Sequence, residues 1–167
     1  MKNKKEWLDK LYYNVGKQNF DFEICGTYIK KDGNVGFTKW IKYSKCIFPI
    51  DFDGTSDDWK AQKFFEQTNQ RQIFPNEIVL DIEQKEGIDN IIKNLNDLKV
   101  KYYLFSTESR GYHIHIFFKK EVSQNKKLAL IKKFGADEMK DKEKVLISLE
   151  YAPHWKSGKL KEKIEWK

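Results

Sequence analysis

The second half of the sequence alternates between two hydrophobic periods, and this pattern limits the folds open to the chain. The segments "EIVLDIE", "KYYLFST", "GYHIHIFF" and "KVLISLE" have the length and alternation of strands. The segment "GIDNIIKNLNDLK" carries Ile88, Ile91, Ile92 and Leu95 at helical spacing, and "SQNKKLALIKKFG" is predicted as a second helix that ends at Gly135. A short last strand, "KIEW", follows near the end. The pattern predicts an antiparallel sheet with helices packed on it.

The order β-α-β-β-α-β is typical of a ferredoxin-like or RNA-recognition-motif-like sheet, so we predict an α/β (α+β) fold over residues 76–167. For residues 1–75 the sequence predicts an additional N-terminal part that also combines helices and strands. It has helices at residues 2–15 and 55–69, and between them a hairpin of "FEICGTYIK" and "VGFTKWIKYS" joined by "KKDGN". No linker rich in Pro, Gly or Ser divides residues 1–167, which favours a single domain.

Composition excludes several classes of protein and leaves one question open. No apolar stretch approaches the roughly 20 residues of a membrane span, and the N-terminus lacks the pattern of a signal peptide, so the expected compartment is the cytoplasm. Cys25 and Cys46 stand alone, which predicts buried free thiols and neither a disulfide nor a zinc site. A net charge of +7 with 15% aromatic residues suits a polyanionic partner. An ordinary solvated surface explains the charge equally well.

The strand "EIVLDIE" carries two carboxylates on one face. Strand side chains alternate, so Val79, Asp81 and Glu83 share one face and the isoleucines and leucine between them share the other. A buried carboxylate needs a cation or a metal beside it. The alternative is a strand that reaches the surface where its charges begin, and the two residues alone favour that alternative.

The strand "GYHIHIFF" carries two of the three histidines of the chain on one face. His113 and His115 share that face with Gly111. The preceding turn, "STESRG", supplies hydroxyl groups, backbone N–H groups and a guanidinium, as a phosphate-binding turn requires. A phosphate-binding histidine and a packed structural histidine are equally compatible with this pattern.

A third region extends from Asp137, just beyond a predicted helix end, to the polar loop "HWKSG", which contains the last histidine, His154. By itself this is an ordinary surface turn. Together, the three regions arrange a D-x-E strand, a basic hydroxyl-rich turn and a third Asp in order. Three carboxylates can hold two divalent metals roughly 3.5–4 Å apart for phosphoryl or nucleotidyl transfer. Oxygen ligands favour Mg²⁺ or Mn²⁺, and no zinc site is expected.

These three regions resemble the motifs of the archaeo-eukaryotic primase superfamily, whose catalytic cores are similar to the primase small subunit. "IVLDIE" matches an hhhDxD/E strand, "TESRGYH" matches S-x-x-R-G-h-H, and "LISLEYAPHWKSG" is similar to a segment that ends R-L-P-x-S-L-H-x-K-S-G. Glu83 stands where a second Asp is commoner, and "SLE" replaces a basic segment that contacts phosphate. The resemblance extends from about Glu77 to Lys161.

The resemblance implies that Asp81, Glu83 and Asp137 hold the metals, with Asp141 or Glu150 as alternatives for the third ligand. It implies that His113 contacts the phosphates of the incoming nucleotide. The other residues that it assigns to nucleotide binding are Ser106, Thr107, Ser109, Arg110, Gly111, His154, Lys156 and Ser157. No motif requires His115, which we expect to support the site or to pack with satisfied hydrogen bonds.

The expected function is that of a primase or primase-polymerase, a nucleotidyltransferase that polymerises NTPs or dNTPs on a single-stranded DNA template. By resemblance, the palm is the antiparallel sheet and residues 1–75 help to bind template. A large primase subunit, a helicase or another replication or repair protein would be the partner.

Two rival functions use the same residues. "HIHIFF" also fits the metal-binding strand of HUH rolling-circle initiators, although the following helix has no nucleophilic tyrosine. The second rival is a non-catalytic nucleic-acid-binding module of the RNA-recognition-motif type, although "RGYHIHIFF" does not match the aromatic signature of that module.

Overall fold

The computed structural model describes residues 22–29, 32–37, 40–42, 70–83, 87–107, 111–136, 145–150 and 161–166. In these ranges the chain has an α/β fold with small antiparallel sheets and two helices. The predicted helices at residues 2–15 and 55–69 lie outside the described residues, as does Cys46. Cys25 is a buried free thiol, as predicted, and burial raises its pKa to about 11.

The central sheet has the order β10-β7-β8-β6, and all its pairings are antiparallel. Its strands are β6 (Glu77–Ile82), β7 (Tyr103–Thr107), β8 (Gly111–Phe117) and β10 (Lys163–Trp166). Helix α1 (Ile88–Asp97) connects β6 to β7, and helix α2 (Gln124–Lys133) follows β8. Each of these elements coincides with a segment whose hydrophobic period predicted it.

The second sheet has the order β4-β1-β5-β9. Its strands are β1 (Glu23–Cys25), β4 (Ile41–Lys42), β5 (Gln70–Gln72) and β9 (Leu146–Ser148). The hairpin of β2 (Thr27–Ile29) and β3 (Val35–Phe37) confirms the prediction for "KKDGN", since the Asn34 N–H donates to Asp32 Oδ1 over 3.0 Å within that turn.

One strand pairs differently from the prediction. "KVLISLE" was expected as the fourth strand of the central sheet, but β9 pairs with β5 in the second sheet, and β10 pairs with β7 instead. Local periodicity does not contain the long-range contact that this pairing makes: Glu150, just after β9, lies beside Arg71 of β5, and the two buried charges compensate each other.

The apolar core lies between the helices and one face of the central sheet. Its buried members from β6, β8, α1 and α2 include Ile78, Leu80, Ile82, Ile114, Ile116, Ile88, Ile91, Leu95 and Ile131. These are the positions that alternation and helical spacing predicted. The opposite face of the sheet carries Asp81, His113 and His115.

The end of α2 is held in a Schellman motif. The N–H groups of Gly135 and Ala136 donate to the carbonyl oxygens of Lys132 and Ile131, and Gly135 has a φ of 66°, where a Cβ would be strained. The predicted helix stop is therefore confirmed. Ala136, just past this stop, packs against the apolar core.

In the part of the chain that the structure describes, neither helix has the length and the apolar character of a membrane-spanning segment.

Candidate active site

Asp81 and His113 meet on adjacent strands. The register of β6 against β8 pairs Asp81 with His113, and antiparallel partners have their side chains on the same face. His113 Nε2 lies 3.4 Å from Asp81 Oδ1. The Asp81 side chain is 18% exposed and the His113 side chain 7%, so the aspartate is the more accessible of the two. The structure thus brings together a residue from each of the first two predicted motifs.

Gly111 allows this approach of the two strands. A Cβ at this position would overlap the carbonyl oxygen of Ile82 and lie 3.0 Å from the Cα of Glu83. The Gly111 N–H donates to Thr107 Oγ1 over 3.1 Å, which joins the end of β7 to the start of β8. The Thr107 hydroxyl therefore holds the start of β8 at the point where Gly111 lies against the end of β6.

Burial and the positive charge of Lys161 lower the pKa of His113 to about 3, against the opposing effect of Asp81. The imidazole is neutral at pH 7. Its Nδ1 is buried and has no hydrogen-bond partner within the described part of the chain. A buried polar atom without a partner costs free energy, which is acceptable where a ligand can supply the missing bond.

Glu83 follows β6 and is exposed to solvent. With Asp81 it forms a pair of carboxylates at the end of one strand. Within the ranges that the structure covers, no group of three His, Cys, Asp or Glu side chains is arranged to hold a metal ion. Two carboxylates are suitable oxygen donors for Mg²⁺ or Mn²⁺, and a third ligand would have to come from a residue outside those ranges.

A pocket of about 690 Å³ opens beside this carboxylate pair. Its wall includes Asp81 and Glu83, residues of α1, and the end of α2 through Ala136. Asp137 lies outside the described residues, but it follows Ala136 directly in the sequence.

Ser106 belongs to the opposite face of the central sheet. It pairs with Tyr112, whose ring packs against the apolar core. The Ser106 hydroxyl donates to the carbonyl oxygen of Glu162 over 3.3 Å. The structure does not bring this predicted nucleotide-binding residue to the face that carries His113.

Five side chains form a buried charge cluster between the two sheets: Arg71, Glu77, His115, Glu150 and Lys161. Arg71 Nη1 and Nη2 donate to the two carboxylate oxygens of Glu77, each over 2.7 Å. Arg71 Nε and Nη2 donate to Glu150 over 3.0 Å. Nη1 also donates to the carbonyl oxygen of Gln72, so each of the five guanidinium N–H groups has an acceptor.

Lys161 completes the cluster and fixes the tautomer of His115. The ammonium donates to Ser148 O, to Glu150 Oε1 and to His115 Nε2 over 2.9, 3.0 and 3.1 Å. His115 Nε2 must therefore be unprotonated, and Nδ1 carries the proton that it donates to Glu77 over 2.7 Å. Burial and the charge of Lys161 lower the pKa of His115, which agrees with a neutral ring.

The charges of the buried charge cluster balance. Burial alone would raise the pKa of Glu77, but the guanidinium of Arg71 and the hydrogen bonds to it outweigh burial and lower that pKa to about 2. Arg71 and Lys161 likewise outweigh burial at Glu150 and hold its pKa well below the usual value. Two cations, two carboxylates and a neutral histidine sum to zero charge.

Glu150, which the sequence left open as a third metal ligand, is thus only 1% exposed, and both its oxygens accept hydrogen bonds from buried cations. The remaining predicted site residues, Ser109, Arg110, Asp137, Asp141, His154, Lys156 and Ser157, lie outside the described residues.

Sequence reasoning missed Arg71, Glu77 and Lys161. Strand alternation could have found Glu77, because it shares a face with Asp81 and Val79. Nothing in the sequence distinguished Arg71 or Lys161 among 32 lysines and arginines. Their roles arise from contacts with residues far away in the chain.

No family model matches the sequence, and no curated protein sequence matches it either. Among solved structures, the chain is similar to the polymerase domain of Mycobacterium tuberculosis Ligase D in complex with DNA. The TM-score is 0.61 at 12% sequence identity, and the similarity covers 96% of this chain and 79% of that one. At this identity the likeness is one of fold: the chain has the α/β fold of a polymerase domain.

Proposed function

We propose that the protein is a nucleotidyltransferase of the primase-polymerase type, which joins NTPs or dNTPs on a nucleic-acid template. One observation carries the proposal: in the fold of a polymerase domain, Asp81 of the first motif and His113 of the second lie side by side on neighbouring strands. The order of the motifs in the sequence supports it independently.

In this proposal Asp81, Glu83 and Asp137 hold two Mg²⁺ or Mn²⁺ ions. Bound divalent ions would supply positive charge to the triphosphate and lower the pKa of the attacking hydroxyl. Asp81 and Glu83 contribute oxygen ligands from a single strand end. The position of Asp137 directly after Ala136, which lines the same pocket as both carboxylates, favours it as the third ligand over Glu150.

His113 binds the triphosphate of the incoming nucleotide. Its neutral ring has a single N–H group, which can donate either to Asp81 or to a phosphate oxygen. It would therefore orient a phosphate without adding charge beside Asp81. The other residues assigned to the nucleotide are Thr107, Ser109, Arg110, Gly111, His154, Lys156 and Ser157, whereas Ser106 lies on the opposite face of the sheet and is left out. Of these, Thr107 and Gly111 act by joining the end of β7 to the start of β8, two residues before His113.

A single-stranded DNA template is the proposed macromolecular substrate, supported by the net charge of +7 and by the similarity to a polymerase domain in complex with DNA. Residues 1–75 would contribute to template binding, and residues 76–167 form the palm. The protein would act in the cytoplasm with a large primase subunit, a helicase or another replication or repair protein.

The contacts of His115 weigh against the HUH function. In that chemistry both histidines of the strand bind one metal. Here both ring nitrogens of His115 contact the buried charge cluster, through Glu77 and Lys161, whereas His113 faces Asp81.

The test is Mn²⁺-dependent incorporation of labelled NTPs or dNTPs on a single-stranded template, with wild type and Asp81→Asn compared. Asparagine preserves the size of the side chain but removes its charge, so we expect incorporation to fall by at least about a hundredfold. The matched control is Asp97→Asn at the exposed end of α1, which should retain wild-type activity.

A passive nucleic-acid-binding module gives a different result. It would incorporate nothing in the wild type, and Asp81→Asn would preserve or improve its binding of single-stranded DNA. Tyrosine-linked cleavage of DNA, without incorporation, would establish the HUH chemistry instead.

A further inference from the structure

The pocket beside Asp81 and Glu83 contains more than the carboxylates. Asn90 and Asn94 line one wall, four residues apart on α1, so their side chains lie on one face of the helix. Lys133, at the end of α2, also lines the pocket. All three side chains are exposed, and none of them belongs to the proposed metal or triphosphate sites.

The pocket also has an apolar part. Its apolar lining includes Ile82, Ile91 and Phe134. The backbone of Gly87 and Gly135 also lines the pocket. Amide groups and a cation around an apolar floor are suited to a ligand with a polar edge, a flat apolar body and a negative charge. A nucleotide has these three properties.

The pocket and His113 are on different sides of the carboxylates. The pocket lies among α1, the end of α2 and the end of β6, whereas His113 projects from the face of the central sheet opposite the helices. The Asp81 carboxylate is directed toward His113, yet Asp81 and Glu83 also border the pocket. A nucleotide in the pocket and a triphosphate beside His113 would therefore meet at the carboxylates.

We propose that this pocket binds the acceptor, the 3′-terminal nucleotide of the growing strand, through Asn90, Asn94 and Lys133. The assignment rests on the proposed function and adds a second substrate site to it. The 3′-hydroxyl oxygen forms a bond to the α-phosphorus of the triphosphate, the bond from that phosphorus to pyrophosphate breaks, and the hydroxyl proton passes to solvent. Asn90 and Asn94 contact the sugar and base, and Lys133 contacts the adjacent backbone phosphate.

The experiment separates the KM for the primer terminus from the KM for the nucleotide. We compare wild type with Asn90→Ala/Asn94→Ala and with Lys133→Ala in primer extension on a template with a recessed 3′ end. Loss of one or two hydrogen bonds should raise the KM for the primer about tenfold and change the KM for the nucleotide less than about twofold.

Matched controls are available on the same helices. Asn96→Ala removes an exposed amide of α1 that the pocket does not use, and Lys132→Ala removes the lysine adjacent to Lys133. Both should leave the KM for the primer unchanged. Alanine is a better helix former than asparagine, so the double variant should melt at or above the wild-type temperature, as circular dichroism would record.

Fluorescence anisotropy supplies a readout that does not depend on catalysis. The wild type should bind a recessed 3′ end more tightly than the same template without primer, and the double variant should lose that difference. An unchanged primer KM and unchanged anisotropy in an active, folded double variant would overturn the pocket assignment alone. Absence of incorporation by the wild type would overturn the proposed function itself.

Discussion

The guanidinium of Arg71 is fully buried, and hydrogen bonds to neighbouring acceptors stabilise it there. Its five N–H groups all have acceptors, and its guanidinium also lies 4.5 Å from the centre of the Phe74 ring. Each carboxylate that it contacts depends on it in turn, because Glu77 and Glu150 are also fully buried. Removing one member would leave uncompensated charge inside the protein.

We expect Arg71→Met to lower the free energy of unfolding by about 4 kcal/mol, because the two carboxylates lose their shared cation while remaining buried. Urea denaturation followed by circular dichroism measures the change. Lys101→Met at an exposed position is the control and should shift the free energy by less than about 0.5 kcal/mol. A loss below about 1 kcal/mol in Arg71→Met would mean that the cluster does not hold the two sheets together.

The two histidines of "RGYHIHIFF" have separate roles in the structure. His115 bonds to Glu77 and Lys161 through both ring nitrogens, and the Phe105 ring lies edge-on at 5.4 Å. The expectation that it packs with satisfied hydrogen bonds is confirmed. His113, two residues earlier, keeps a ring nitrogen without a partner among the described residues. Its role in phosphate binding stays a prediction.

At the level of the secondary-structure elements, β6 and β8 can approach each other closely at the site because residue 111 is a glycine. Gly111 lies where any Cβ would collide with the backbone of Ile82, and backbone cannot move aside as a flexible side chain can. The register that pairs Asp81 with His113 begins at this contact.

Gly111→Ala should therefore lower the free energy of unfolding by about 2 kcal/mol and reduce incorporation more than stability alone explains, because the end of β6 must shift away from β8. Thermal melting and incorporation assayed well below the melting temperature measure the two effects. Gly87→Ala, where a Cβ meets nothing within 4 Å, is the control for stability and should cost no more than about 1 kcal/mol, the usual effect of alanine at a helix N-cap. Equal behaviour of the two variants would contradict this account of the strand contact.

The elements that the sequence predicted correctly are those with a clear hydrophobic period. β6 and β8 alternate and α1 repeats at helical spacing, so local composition determined both the elements and the faces of Asp81 and His113. β5, with the sequence Gln-Arg-Gln, has no apolar alternation to detect. The sheet that β9 joins depends on the Arg71–Glu150 contact, and periodicity carries no information about a partner so distant in the chain.

For the whole molecule, the buried ionisable groups predict how stability varies with pH. Glu77 has a folded pKa of about 2 against an ordinary value of 4.5, so the stability that it contributes is present above pH 4.5 and is lost as the pH falls toward 2. His113 has a folded pKa of about 3 against 6.5, so below pH 6.5 the unfolded chain takes up its proton first. Both groups therefore lower the free energy of unfolding as the pH falls.

The urea midpoint should therefore decrease steadily from pH 7 to pH 4, with His113 and His115 responsible for the upper part of the decline and the carboxylates for the lower. His113→Asn should make the curve shallower between pH 7 and pH 5, with the remaining slope there coming from His115, while the decline at lower pH persists. A midpoint that stays constant or rises on acidification would show that these groups are not buried in the folded state.

The buried charge cluster also has a consequence for how this protein can evolve. Its five side chains come from five separate segments of the chain, and replacing all of them with well-packed apolar residues would cost little. Replacing any one of them leaves a charge or a polar atom without its partner, so each single step passes through a destabilised protein. We therefore expect these positions to change together among relatives or not at all, which would leave them nearly constant while the surface around them diverges.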